Sequence, residues 1–144
     1  MSWWQRGFAL AAGLACFAVL IVAMRLTPSP TGMGTHTALG LQPCAFALRL
    51  GIPCPSCGMT TSFAWFVRGN LAASFYVQPM GCLLALATAF GFWLGFYIAL
   101  TGRPVYRLLD FLAPRRAILP LMGLVILAWA WKIYIHRLGI DGWR

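Results

Sequence analysis

From Gly7 to Met24 the chain runs eighteen residues without a charge, bracketed by Arg6 and Arg25. A helix rises about 1.5 Å per residue, so this run covers roughly 27 Å, close to the hydrocarbon thickness of a bilayer. It is too long for the apolar part of a signal peptide. The exit Arg25-Leu26-Thr27-Pro28-Ser29-Pro30 also lacks a small-x-small cleavage pattern, so a retained first span is expected. Leu71 to Leu100 is a second apolar stretch, with Gln78-Pro79 inside it. Proline has no N–H to donate and kinks or begins a helix, which puts the second span at Met80 to Leu100. Ala117 to Ile135 is the third, interrupted only by Lys132 near its end. The expected fold is an all-α membrane protein, a single integral membrane domain over 1–144, with spans at about 7–26, 80–100 and 117–136. Short interfacial or re-entrant helices should surround a cysteine motif in the segment 34–79.

Composition agrees. Charged residues make up 9% of the chain, against about 25% in soluble domains, which excludes a separate soluble module. The net charge of +9 invites a nucleic-acid partner. The basic residues, however, lie singly at the ends of apolar runs, where they snorkel to headgroups and set orientation. The implied partner is the lipid bilayer, and nucleic acid is set aside. Trp3, Trp4 and Trp143 stand at segment ends, as interfacial tryptophans do. No ionisable residue falls near mid-span, which argues against an ion or proton transporter. Arg103, Arg107, Arg115 and Arg116 make the loop after the second span the densest in positive charge. That loop is expected in the cytoplasm, with the cysteine segment on the other side, although the basic residues beyond the other span ends nearly balance it.

Between the first two spans, Thr27 to Gly40 is rich in Pro, Gly, Thr and Ser and reads as a loop outside the hydrocarbon. Leu41 to Gly51 is too short to span and suits an interfacial or re-entrant piece. Gly58 to Val67 suits a short helix, followed by Arg68, the C-cap glycine Gly69 and Asn70, a candidate N-cap for the next element. In the second span, Ala87, Gly91, Gly95 and Ala99 recur every four residues, so small side chains line one face. Gly91 and Gly95 could pack on a helix of a second copy, but contact within the chain is the favoured reading.

The chemistry concentrates in Cys54-Pro55-Ser56-Cys57-Gly58, with Cys44 ten positions upstream of Cys54. In a zinc knuckle, two such thiolates point at one ion, and the glycine permits the left-handed turn beneath it. In a redox pair, Cys54 sits at a helix start with Pro55 as first helical residue, and the macrodipole favours its thiolate. Mere packing is a weaker account of this motif than either. Cys16 and Cys82, inside spans, read as small buried hydrophobes. A closed zinc site needs a fourth ligand, and His36 is the only histidine, aspartate or glutamate between the first two spans. The candidate metal ligands are therefore His36, Cys44, Cys54 and Cys57. His136 is read as an interfacial residue.

The order of motifs resembles a bacterial membrane family catalogued as domain of unknown function 2752. The resemblance rests on Cys44, then Gly51-Ile52-Pro53-Cys54-Pro55-Ser56-Cys57-Gly58-Met59-Thr60, then Arg68-Gly69-Asn70-Leu71, then Gln78-Pro79. It covers about Gly34 to Pro79. Thr61 stands where the family usually has arginine, and Gln78 where it usually has asparagine. The resemblance implies a location in a bacterial cytoplasmic membrane and a shared cysteine site, and it implies no reaction.

Two functions follow for this site. One is a non-catalytic membrane protein whose three-Cys, one-His site holds a structural zinc ion and orders the loop. The alternative is a membrane thiol–disulfide oxidoreductase in which Cys54 attacks, Cys57 resolves and Cys44 relays to a partner. Against an enzyme, the chain has no second Cys-x-x-Cys and only two acids.

Overall fold

The computed structural model describes residues 2–103 and 118–143. Among these, all regular structure is helical: α1 (Trp3–Arg25), a 3₁₀ turn (Thr35–Leu39), α2 (Ala45–Leu50), α3 (Met59–Phe66), α4 (Leu71–Val77), α5 (Pro79–Thr101) and α6 (Ile118–Arg137). Helices α1, α5 and α6 are long and apolar enough to cross a membrane. Each is apolar around most of its circumference and leaves side chains such as Phe8, Trp93 and Leu127 exposed. In water such exposure would be costly, whereas a bilayer would cover it. Of the basic loop read at 101–116, residues 104–116 lie outside the described residues.

Helices α1 and α5 run antiparallel and meet along the small-residue face of α5. A Cβ on Gly95 would stand 2.6 Å from the Ala9 carbonyl and 2.9 Å from the Gly13 Cα. Gly91 likewise faces the Cys16 sulfur, at 3.2 Å. Both glycines are thus occupied inside the chain, and a second copy could use them only by displacing α1. Helix α1 begins at Trp3, earlier than Gly7, and so carries Arg6 within it. The Arg6 guanidinium donates to the Ala99 carbonyl at 2.6 and 3.0 Å and to that of Leu100 at 3.2 Å. It satisfies carbonyls that the end of α5 leaves without intrahelical partners.

Between α1 and α5 the chain folds back as a helical hairpin, α3–α4. Asn70 caps α4, its side chain accepting from the Ala73 amide at 2.9 Å, as its position before an apolar run predicts. Pro79 starts α5 as its first residue. The short helix expected at Gly58 to Val67 is present as α3, and it is packed among the other helices. Thr61, Ser62, Phe63 and Ala64 are all buried, because α3 packs on α1, α4 and α5. Its hydroxyls make that possible: Ser62 Oγ bonds Ser74 Oγ and the Ser74 carbonyl, both at 2.8 Å, and the Gln78 carbonyl at 3.2 Å. Phe63 joins Ala23 of α1 and Ala85 of α5 in the apolar cluster of the core. Arg68 donates to the Ala64 carbonyl at 2.7 Å and to the Met24 carbonyl at 3.5 Å, tying the ends of α3 and α1 together.

The α1–α5 contact leaves no room for a side chain at Gly95. Gly95→Leu should therefore lower the stability of the detergent-solubilised protein by about 1–3 kcal/mol. Gly123→Leu on α6, where nothing among the described residues lies within 4 Å of the added Cβ, should leave it unchanged. Equal behaviour of the two variants in chemical unfolding would refute the packing account.

Candidate cysteine centre

The centre is assembled from two pieces of irregular chain. Cys44 occupies the N-cap position of α2 in extended backbone (φ −60°, ψ 111°). Cys54 and Cys57 lie in the turn before α3, where the Cys57 amide donates to the Cys54 carbonyl at 3.0 Å. The turn ends at Gly58 with φ +89°, a conformation that glycine adopts freely. A Cβ there would also lie 2.9 Å from the Gly32 carbonyl. The glycine of the motif therefore supplies both the turn and the close approach of a second loop.

These pieces bring the Cys44, Cys54 and Cys57 sulfurs within 4.8 Å of one another. Cys54 Sγ lies 3.2 Å from Cys57 Sγ and 3.1 Å from Ser56 Oγ. All five cysteines of the chain are free thiols, and Cys16 and Cys82 stay in α1 and α5, outside the group. Sulfurs on a tetrahedral zinc ion stand about 3.8 Å apart, given bonds of about 2.3 Å. The Cys54–Cys57 separation is shorter than that and the whole group lies within 4.8 Å, so the donor set fits a thiophilic metal once the side chains adjust.

The three thiols are not equivalent. Cys44 is drawn down to about 7, chiefly by the backbone amide of Ala47 at the start of α2, with help from the other two thiols against partial desolvation. Burial pushes Cys57 up to about 12, and its thiol neighbours add to the rise.

His36, the candidate fourth ligand, stands beside the sulfur group. It lines a cavity of about 170 Å³ together with Cys44, Ala47, Leu48, Cys57 and Gly58. Its ring nitrogen is nevertheless not part of the sulfur group. The cause is local: the 3₁₀ turn Thr35–Leu39, bounded by Gly34 and Gly40 in left-handed conformation, holds the ring so that Nε2 bonds the Gln42 carbonyl at 3.1 Å.

Several further residues, none of them a candidate ligand, hold the centre. Trp129 Nε1 of α6 donates to the Pro53 carbonyl at 2.9 Å, and Gln78 Nε2 donates to the Pro55 carbonyl at 2.7 Å. Thr61 is buried with its hydroxyl 2.8 Å from that of Thr35. Lys132 of α6 is fully buried and pairs with Asp141 at 3.2 Å, and the other Asp141 oxygen bonds His136 Nδ1. The signal for Lys132 was a charge inside an apolar helix, which belongs either at an interface or against a partner. The sequence contained no means of choosing.

Two outcomes follow from this geometry. Gly51→Ala imposes the left-handed penalty alone, about 1–2 kcal/mol, because nothing among the described residues lies within 4 Å of its Cβ. Gly58→Ala adds the clash with Gly32, so its loss in thermal or chemical unfolding should be the larger. At about pH 8, below the ordinary thiol value of about 8.5, limiting iodoacetamide should label Cys44 first and Cys57 last in metal-free protein. Peptide mapping by mass spectrometry reads the order, and early labelling of Cys57 would contradict the assignment.

Residues 44–92 match the family model described as Protein of unknown function (DUF2752). The match begins at Cys44, contains the Cys54–Gly58 turn and the α3–α4 hairpin, and runs into α5. The chain finds no match among curated proteins or among solved structures. The cysteine centre and the helices that carry it are thus the part of this chain that resembles the DUF2752 family, as the order of its motifs led one to expect.

Proposed function

We propose that Cys44, Cys54 and Cys57 hold a single zinc ion that staples two separate pieces of loop at the membrane surface. The observation that carries this reading is the convergence of three sulfurs, from positions ten and three residues apart, within 4.8 Å. The segment between α1 and α3 has only a 3₁₀ turn and the six-residue α2, and none of the α2 residues is buried. A loop so poor in core needs a cross-link to stay in one conformation, and structural zinc supplies one. A lowered Cys44 thiol suits a thiolate ligand. His36, in the wall of the same cavity, is the residue that would complete a tetrahedral set, exchanging the Gln42 carbonyl for the metal. In this reading the chain is one membrane unit over 1–144, in a bacterial cytoplasmic membrane, with a non-catalytic role.

The 3.2 Å separation of Cys54 and Cys57 favours a second reading, thiol–disulfide exchange. Their two thiols would become one disulfide while a partner's disulfide is reduced to two thiols, with Cys44 as the relay thiol.

Elemental analysis of the purified protein beside thiol counting separates the two. The zinc reading expects one zinc per chain, loss of it in Cys44→Ser, and weaker retention in His36→Ala. A metal-free protein with a Cys54–Cys57 disulfide would remove the zinc reading in favour of exchange.

A further inference from the structure

A cation inside an apolar membrane helix is costly unless it faces the protein interior and finds a partner. Lys132 does both. It is fully buried, its ammonium 3.2 Å from Asp141 Oδ1 and 3.3 Å from the Gly32 carbonyl. A buried ion pair is a poor source of net stability, since apolar residues of similar volume serve as well or better. Packing alone therefore does not account for a lysine here. Its surroundings do. The ammonium lies 3.4 Å from the point that a Cβ on Gly58 would occupy, at the residue that follows Cys57. Asp141 is shared between this ammonium and His136 Nδ1. Three thiolates on one divalent ion carry a net negative charge, and Lys132, paired with Asp141, places its ammonium group behind the turn that presents two of them.

We infer that Lys132 is the counter-cation of the cysteine centre, a positioning residue that stabilises negative charge on the sulfurs and is held in place by Asp141. This rests on the reading that those sulfurs act as thiolate ligands. The role makes opposite demands on the two members of the pair. Removing the ammonium should weaken the centre. Neutralising Asp141 leaves the ammonium uncompensated and should strengthen it. A brace with no electrostatic function would be loosened by either change.

The test uses the full-length protein in detergent, with Cd²⁺ as probe in competition against a chelator. A second measurement is the rate at which iodoacetamide labels Cys54 and Cys57 in metal-free protein. Lys132→Met should weaken Cd²⁺ binding by about tenfold or more and slow the labelling. Lys132→Arg should restore both, and Asp141→Asn should bind Cd²⁺ at least as tightly as the unmodified protein and label faster. Unchanged affinity and labelling in Lys132→Met would overturn the inference, as would a loss in Asp141→Asn equal to that in Lys132→Met. Should Lys132→Met fail to fold, the sign of the Asp141→Asn effect decides. Failure of the unmodified protein to bind Cd²⁺ would dispose of the metal reading alone. The labelling rates would then judge Lys132, slower in Lys132→Met and faster in Asp141→Asn if its charge acts on the sulfurs, unchanged if it does not.

Discussion

Buried backbone carbonyls in irregular chain need donors from within the protein, because burial shuts out the water that would otherwise serve them. The cysteine turn meets this requirement with side chains from elsewhere. Trp129 of α6 takes the Pro53 carbonyl, and Gln78, at the junction of α4 and α5, takes that of Pro55. Lys132 takes the Gly32 carbonyl, which itself presses on Gly58. These bonds place the turn relative to α5 and α6, and the sulfur geometry depends on them. The proline-rich motif needs such outside help, since Pro53 and Pro55 have no amide hydrogens and cannot build a ladder of their own.

The same economy governs the helix ends. Arg6 reaches from α1 to the last carbonyls of α5, and Arg68 reaches from the end of α3 to that of α1. Each arginine thus does what cations near helix C-termini do generally, but across a helix–helix contact. The interhelical contact in turn exists because Gly13 and Gly95 let two backbones approach without intervening side chains. Small residues in the middle and cations at the ends therefore act together. One sets the closeness of α1 and α5, and the other compensates the carbonyls that closeness brings within reach.

At the centre itself, three chemically identical side chains acquire different character from their positions. Cys44 stands at a helix start on the surface, Cys54 beside a serine hydroxyl, and Cys57 in the interior against the turn. A metal bound by all three would have to overcome the reluctance of Cys57 to ionise, which burial imposes. A buried cation at the back of the turn offsets a cost of this kind. The Lys132–Asp141–His136 group also joins the end of α6 to the loop after α1, so the C-terminal segment reaches a site whose cysteines lie some eighty residues earlier.

Apolar runs of spanning length made the three long helices legible in the sequence, because a bilayer demands length and apolarity and little else. Pro79 marked the start of α5 and Asn70 that of α4, by backbone chemistry that acts within a few residues. The spacing of Gly91 and Gly95 showed a face for close packing, and the grouping of Cys44 with Cys54 and Cys57 followed from a motif with few other uses. The tertiary structure decided what depends on direction across the fold. It turned His36 toward Gln42 and out of the sulfur group, and it buried α3 through hydroxyl pairs whose partners lie twelve or more residues away. It also carried Lys132, which the sequence presented as an interruption near a span's end, into the interior behind Gly58. Periodicity and local propensity report on neighbours within a turn or two. Which distant carbonyl a side chain meets is set only when the helices have packed.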